Sequence, residues 1–253
     1  FLISSLAALL IGCMMGLGGR KAERQRLGWG QGMVVAAGSW LLGTLMCALP
    51  YYLSGNYLSY LDCCFDVMSG LTTTGLVLIQ DLDHVSNGLN MWRHLLTFIG
   101  GQGMVVLALS FLVKGANGAY KMYVGEGKDE RLMPNVVNTA RYIWLISLIY
   151  LALGTVVMTI AALTAGLAPD RAFLHGMWIY MSAWSTGGFA PMSQNILYYH
   201  SEFVELATSV VFVIGSFNFA LHHAVLSGRR GELRRNLETI TFTITLTALT
   251  LVT

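Results

Sequence analysis

A nine-residue segment rich in Thr, Ser and Gly occurs twice in this chain, each time between two long apolar runs. Met68-Ser69-Gly70-Leu71-Thr72-Thr73-Thr74-Gly75-Leu76 returns 113 positions later, without a gap, as Met181-Ser182-Ala183-Trp184-Ser185-Thr186-Gly187-Gly188-Phe189. Backbone that is not helical cannot face lipid, because its N–H and C=O groups go unpaired there; it is tolerated only where protein buries it or where it lines a water-filled path. The duplicated strip is therefore a candidate pore lining, and the runs around it dictate helical membrane spans.

Of 253 residues 55% are hydrophobic and 11% charged, with a mean hydropathy of +0.61. That composition defines an all-α polytopic membrane protein. A net charge of +2 gives no argument for a nucleic-acid partner. Runs of about 20 apolar residues cross about 30 Å of hydrocarbon; they are expected at Phe1 to Gly18, Gly32 to Leu53, Leu89 to Val113, Thr139 to Leu163 and Phe203 to Leu226, with a sixth beginning near Leu237. Apart from Arg93 and Arg171, Lys and Arg fall on alternate loops: Arg20, Lys21, Arg24 and Arg26, then Lys114, Lys121, Lys128, Arg131 and Arg141, then Arg229, Arg230, Arg234 and Arg235. By the positive-inside rule these loops are cytoplasmic. Both strips then open from the outer side, where Asp62, Asp66, Asp81, Asp83 and Asp170 lie.

The expected organisation is an N-terminal span and cytoplasmic loop over residues 1–31, a first repeat over 32–113, a cytoplasmic connector over 114–138, a second repeat over 139–227, and a basic loop with the start of a third repeat over 228–253. Each repeat reads as a span, a short helix, a strip, an outer loop and a return span. The short helices are expected at Tyr57 to Leu71 and Pro169 to Trp184, with Pro169 in a first turn where a missing N–H costs nothing. The return spans also align: Ile99-Gly100-Gly101-Gln102-Gly103 matches Ile214-Gly215-Ser216-Phe217-Asn218 at an offset of 115. Cys13, Cys47, Cys63 and Cys64 have no metal or disulfide spacing and read as small apolar side chains.

A dehydrated monovalent cation needs a cage of oxygens, which backbone carbonyls around one axis supply without buried counter-charges. Aiming successive carbonyls inward requires alternating backbone handedness, so Gly75 and Gly188 are expected at positive φ. Thr hydroxyls add ligands or satisfy neighbouring backbone groups. The candidate ion-binding residues are Thr72, Thr73, Thr74 and Gly75 with Ser185, Thr186, Gly187 and Gly188; the adjacent glycines leave open which of Gly187 and Gly188 corresponds to Gly75. Each short helix directs the negative pole of its dipole at the strip. Small residues also serve helix packing, but packing does not call for two copies in matching re-entrant settings.

These residues resemble the Trk/Ktr/HKT superfamily of potassium uptake proteins, closest to the bacterial Trk-type membrane subunit. The resemblance rests on Val67 to Gly75, Trp92-Arg93, Ile99 to Gly103, Ser185 to Phe189 and Asn218-Phe219-Ala220-Leu221-His222, and covers nearly the whole chain. It implies span–pore helix–span repeats with re-entrant filter loops around a pseudo-fourfold axis. It also implies potassium as the transported ion, the bacterial inner membrane as location, a homodimer, and a TrkA-like nucleotide-binding ring as cytoplasmic partner. No cofactor is expected on this chain, and any nucleotide belongs to that partner. Family subunits have four repeats, so this chain reads as a fragment of a longer protein rather than a dimerising half-channel; it lacks an initiating Met and ends within an apolar run.

Other residues carry weaker signals. Asp62 and Asp66 share a helix face and either attract cations at the outer mouth or brace the strip. Arg93 is expected to snorkel to the interface, with bracing of the filter surroundings as the second reading. His222 and His223 point about 100° apart and cannot chelate one ion from the same face, so a bundle-facing or interfacial role is expected. No enzyme is indicated, since there is no Gly-x-Ser-x-Gly, HExxH or Walker motif. The alternatives to potassium uptake are a sodium or mixed-cation transporter of the same fold and a non-conducting membrane scaffold.

Overall fold

The computed structural model describes residues 1–19, 29–103, 106, 136–229, 231 and 236–252. Among the described residues the regular elements are helices: α1 (Leu2–Gly19), α2 (Trp29–Leu53), α3 (Tyr60–Leu71), α4 (Asn87–Gln102), α5 (Val136–Thr164), α6 (Pro169–Trp184), a 3₁₀ turn (Asn195–Tyr199), α7 (Glu202–Gly215), α8 (Phe219–Leu226) and α9 (Leu237–Val252). By length and composition, Gly30–Leu53 and Val137–Thr164 can each cross a membrane, and α7 with α8 makes a third candidate if the bent pair is one span. The apolar side chains of α2 and α5 that face outward, such as Val34, Leu41, Leu153 and Val156, suit lipid contact. Most of the basic loop residues, and the connector up to residue 135, lie outside the described residues.

The short helices begin where local chemistry permits. Ser59 caps α3 by accepting from the Asp62 N–H, so the helix starts at Tyr60, three residues later than expected. Pro169 stands at the start of α6. α3 packs between α2 and α4, and α6 between α5 and α7; α4 also packs on α6 and joins the two halves. One core forms around Tyr51, Val67, Leu71, Leu89 and Leu96, with Cys63 inside it, and a second around Ile143, Met158, Ile179 and Trp184.

The return spans depart from the continuous helices expected. α4 ends at Gln102, where Gly103 takes φ 102°. Phe203 to Leu226 is not one continuous helix: α7 and α8 meet at 97°. At the break the Asn218 side chain accepts from the Leu221 N–H at 2.9 Å and starts a new helix. A side chain that caps so well favours a helix start over helix continuation. Gly103, which caps the end of α4, aligns with Asn218, which caps the start of α8, while α7 already ends at Gly215; both halves break within the same few residues of the repeat.

Candidate functional site

Each strip grows out of a helix end with the same hydrogen bonds. Thr73 N–H donates to Gly70 O at 3.0 Å and Thr74 N–H to Ser69 O at 2.8 Å; in the second copy Thr186 N–H donates to Ala183 O at 3.0 Å and Gly187 N–H to Ser182 O at 2.8 Å. This is the pattern of a Schellman motif, which places its left-handed residue one position after the cap and normally uses Gly there. Here Thr73 (φ 54°) and Thr186 (φ 52°) occupy it. A β-branched residue in this region is an outlier that the surrounding structure must enforce. Two residues on, Gly75 (φ 82°) and Gly188 (φ 75°) are again left-handed. The right–left alternation needed to turn carbonyls is therefore present in both copies, and Gly188 rather than Gly187 takes the place of Gly75.

The strips come together in space. A Cβ on Gly75 would lie 2.6 Å from the Gly187 carbonyl oxygen, and one on Gly188 would lie 3.6 Å from the Gly75 Cα. Thr72, Thr74, Thr186 and Gly188 are exposed, whereas Ser185 and Gly187 are buried. A Cβ on Gly187 would collide with the Thr97 hydroxyl, which also lies 3.4 Å from Ser185 Oγ. The Thr72 and Thr74 hydroxyls share a hydrogen bond of 2.8 Å, and Thr72 Oγ1 donates to Met68 O at 2.7 Å. Ser185 Oγ makes the matching bond to Met181 O at 2.8 Å.

Glycines on the return helices let the strips seat. A Cβ on Gly100 would overlap the Leu71 carbonyl, one on Gly215 would overlap the Trp184 carbonyl, and one on Gly101 would stand 2.6 Å from Ser185 Cβ. Leu71 and Trp184 end the two short helices, so the same glycine–helix-end contact is made in both halves. The aligned Gly100 and Gly215 were the sequence signal for it.

The two acidic candidates separate. Asp66 is fully buried and accepts from the Tyr57 hydroxyl, with Arg93 Nε 4.0 Å from its Oδ2. Asp62 is half-buried. Burial and its partners Tyr57 and Arg93 set Asp66 apart from Asp62.

Arg93 does not snorkel. Its side chain is wholly buried, donating from Nη1 to Asn90 Oδ1 (3.1 Å) and to Ala190 O (3.3 Å), with its guanidinium 4.7 Å above the Phe189 ring. Sequence reasoning ranked a bracing role second to snorkelling, although a charged residue inside an apolar run is by default a functional candidate. His222 is buried against Tyr150 and Trp184, with ring centroids 5.3 and 5.2 Å away, while His223 packs on Tyr142.

Asp83 clasps the other half of the molecule, accepting from Ser193 N–H at 2.8 Å and Ser193 Oγ at 2.6 Å. Those bonds hold the Asp83 carboxyl below the usual range. His84 is raised by its bond to Asp81, 2.9 Å away.

Apolar helices enclosing paired, strained Thr/Gly strips define a helical membrane protein. Over residues 6–252 the sequence matches the family of TrkH cation transport proteins, and the chain belongs to that family. It is 34% identical over 224 residues to the Trk system potassium uptake protein TrkH of Halomonas elongata, covering 87% of this chain and 45% of that one. It is 32% identical over 201 residues to the Trk system potassium uptake protein TrkG of Escherichia coli K12, covering 78% of this chain and 40% of that one. An uncharacterised cation transporter of Methanocaldococcus jannaschii is 30% identical over 198 residues, 78% of this chain and 40% of its own length. The chain thus spans less than half the length of these relatives.

Proposed function

We propose that this chain supplies part of a potassium-selective permeation path in the bacterial inner membrane, with Thr72 to Gly75 and Ser185 to Gly188 as two of the strips that ring the ion. The observation that carries the reading is the matched backbone of the two strips, left-handed at Thr73 and Thr186 and again at Gly75 and Gly188, meeting at their glycines. A strained conformation held twice at corresponding residues is costly unless it serves a site, and carbonyls turned inward are what a dehydrated potassium ion requires. The C-terminal ends of α3 and α6 bring the negative poles of two helix dipoles to the strips. Potassium uptake in the names of the relatives supports the choice of ion.

In this reading α2 to α4 and α5 to α8 are two span–pore helix–span repeats of a pseudo-fourfold assembly, and Asp62 attracts cations at the outer mouth. The subunit pairs as a homodimer and takes its nucleotide control from a TrkA-like cytoplasmic ring. No catalytic step is required of it, since permeation replaces water by carbonyl oxygens and makes no bond.

Rubidium uptake by potassium-uptake-deficient bacteria carrying the full reading frame that contains this chain tests the proposal. Uptake that resists excess sodium and is lost in Gly75→Ser and Gly188→Ser at matched membrane expression is expected. Sodium uptake in place of rubidium assigns a sodium or mixed-cation path, and no uptake of either ion, with or without the cytoplasmic partner, assigns the scaffold.

A further inference from the structure

The two halves of the molecule match in their strips, their helix ends and their return-helix glycines, but not in the charge buried behind the strips. Asp66 and Arg93 are both fully buried, with Nε and Oδ2 4.0 Å apart. At the offset of 113 that relates the strips, Asp66 corresponds to Ile179; at the offset of 115 that relates the return helices, Arg93 corresponds to Thr208. The first half carries a charged pair where the second carries none.

What this pair touches is the second strip. Arg93 Nη1 donates to the carbonyl of Ala190, two residues past Gly188. Its guanidinium lies over Phe189, whose ring packs so close to Gly70 that a Cβ there would be 2.9 Å from it. Asn90, which accepts from Arg93 at 3.1 Å, donates from Nδ2 to Pro191 O at 3.4 Å. Three consecutive residues, Phe189, Ala190 and Pro191, are thus held by α3 and α4. The Tyr57 hydroxyl, on the loop before α3, donates to Oδ2 of Asp66, the same oxygen that faces Arg93.

Burying such a pair is not a source of stability. Desolvation of two ions offsets most of their attraction, and apolar residues of similar volume do as well or better. At membrane depth the case for a function is stronger. A planar guanidinium that grips one carbonyl and one ring sets direction as well as distance, which a Lys ammonium cannot do.

We propose that Arg93, anchored by Asp66 and Asn90, is a positioning residue that fixes the chain leaving the second strip and so sets the spacing between the carbonyls of the two strips. The first half then determines ion selection at the second. This rests on the permeation reading above.

The test is the ratio of rubidium to sodium uptake by the full-length protein in proteoliposomes, for the parent, Arg93→Lys, Asp66→Asn and Tyr57→Phe, each normalised to the amount of protein reconstituted. Arg93→Lys keeps the charge and loses the planar guanidinium that bonds the Ala190 carbonyl from Nη1; its ratio is expected to fall about tenfold, the scale of one charge-assisted hydrogen bond. Asp66→Asn is expected to lower the ratio as well, and Tyr57→Phe by a smaller factor. A purely structural brace would change the amount of folded protein and leave the ratio per molecule at the parental value, and that result overturns the proposal while leaving the permeation reading intact. Should Arg93→Lys and Asp66→Asn fail to accumulate, Tyr57→Phe, which removes one hydroxyl, decides by the same criterion. A parent that takes up neither ion overturns the permeation reading itself, and this proposal with it.

Discussion

Glycine at 75 and at 188 answers the same backbone demand in different surroundings. Both have positive φ, so any side chain is strained there by about 1 to 2 kcal/mol. At Gly75 a methyl group also meets the Gly187 carbonyl at 2.6 Å, whereas at Gly188 the nearest atom is 3.6 Å away. Gly75→Ala is therefore expected to lower the melting temperature in detergent and abolish rubidium uptake, while Gly188→Ala costs only the backbone strain and is the milder lesion in melting temperature. Equal shifts for the two would contradict the packing described. The duplicated motif made both glycines legible, because a strip that turns its carbonyls needs positive φ somewhere. It did not make Thr73 and Thr186 legible as left-handed residues, since Thr disfavours that region and only the surrounding hydrogen bonds impose it.

Short helices ending in strips are seated by glycines on the return helices. Gly100 faces the Leu71 carbonyl and Gly215 the Trp184 carbonyl, both too closely for a Cβ. Alanine at either position must push the end of a short helix away from its return helix, an overpacking of about 1 to 3 kcal/mol. Gly100→Ala and Gly215→Ala should each lower the melting temperature, whereas Gly38→Ala, with open space at its Cβ, should not; a scan in detergent distinguishes them. The sequence alignment at an offset of 115 pointed to these glycines without saying what they touch. It also carried the positions of the breaks, at Gly103 after α4 and at Asn218 before α8, yet the apolar runs read as unbroken spans. Hydropathy reports burial averaged over a window and is blind to one side chain that starts a new helix.

The two halves are joined at two places, by α4 against α6 and by Asp83 against Ser193. The Asp83 clasp depends on a carboxylate whose folded pKa lies below its unfolded value. Its contribution is therefore complete above about pH 4, the ordinary Asp range, and is lost as pH falls through the lower folded value. Hydrogen-exchange protection of the Ser193 amide, corrected for the intrinsic pH dependence, should be flat from neutral pH down to that range and fall below it; Asp83→Ala should remove it at every pH. Protection unchanged in Asp83→Ala would rule the clasp out. The His84–Asp81 pair has the opposite sign: a raised folded pKa gives a contribution present below about pH 6.5 and lost as pH rises through the folded value.

By itself the amino-acid sequence determined the helical membrane class, the duplication, the place of each strip after a short helix and the need for glycine within it. All of these follow from composition, spacing and local backbone preference, which act between residues near in the chain. The tertiary structure alone decided that Gly188 matches Gly75, that Asp66 is buried while Asp62 is only half so, and that Arg93 turns inward to Ala190, 97 residues away. Those outcomes depend on which groups desolvate together when the second half packs on the first. No periodicity records that, because a buried charge is tolerated only where distant parts of the chain supply its partners.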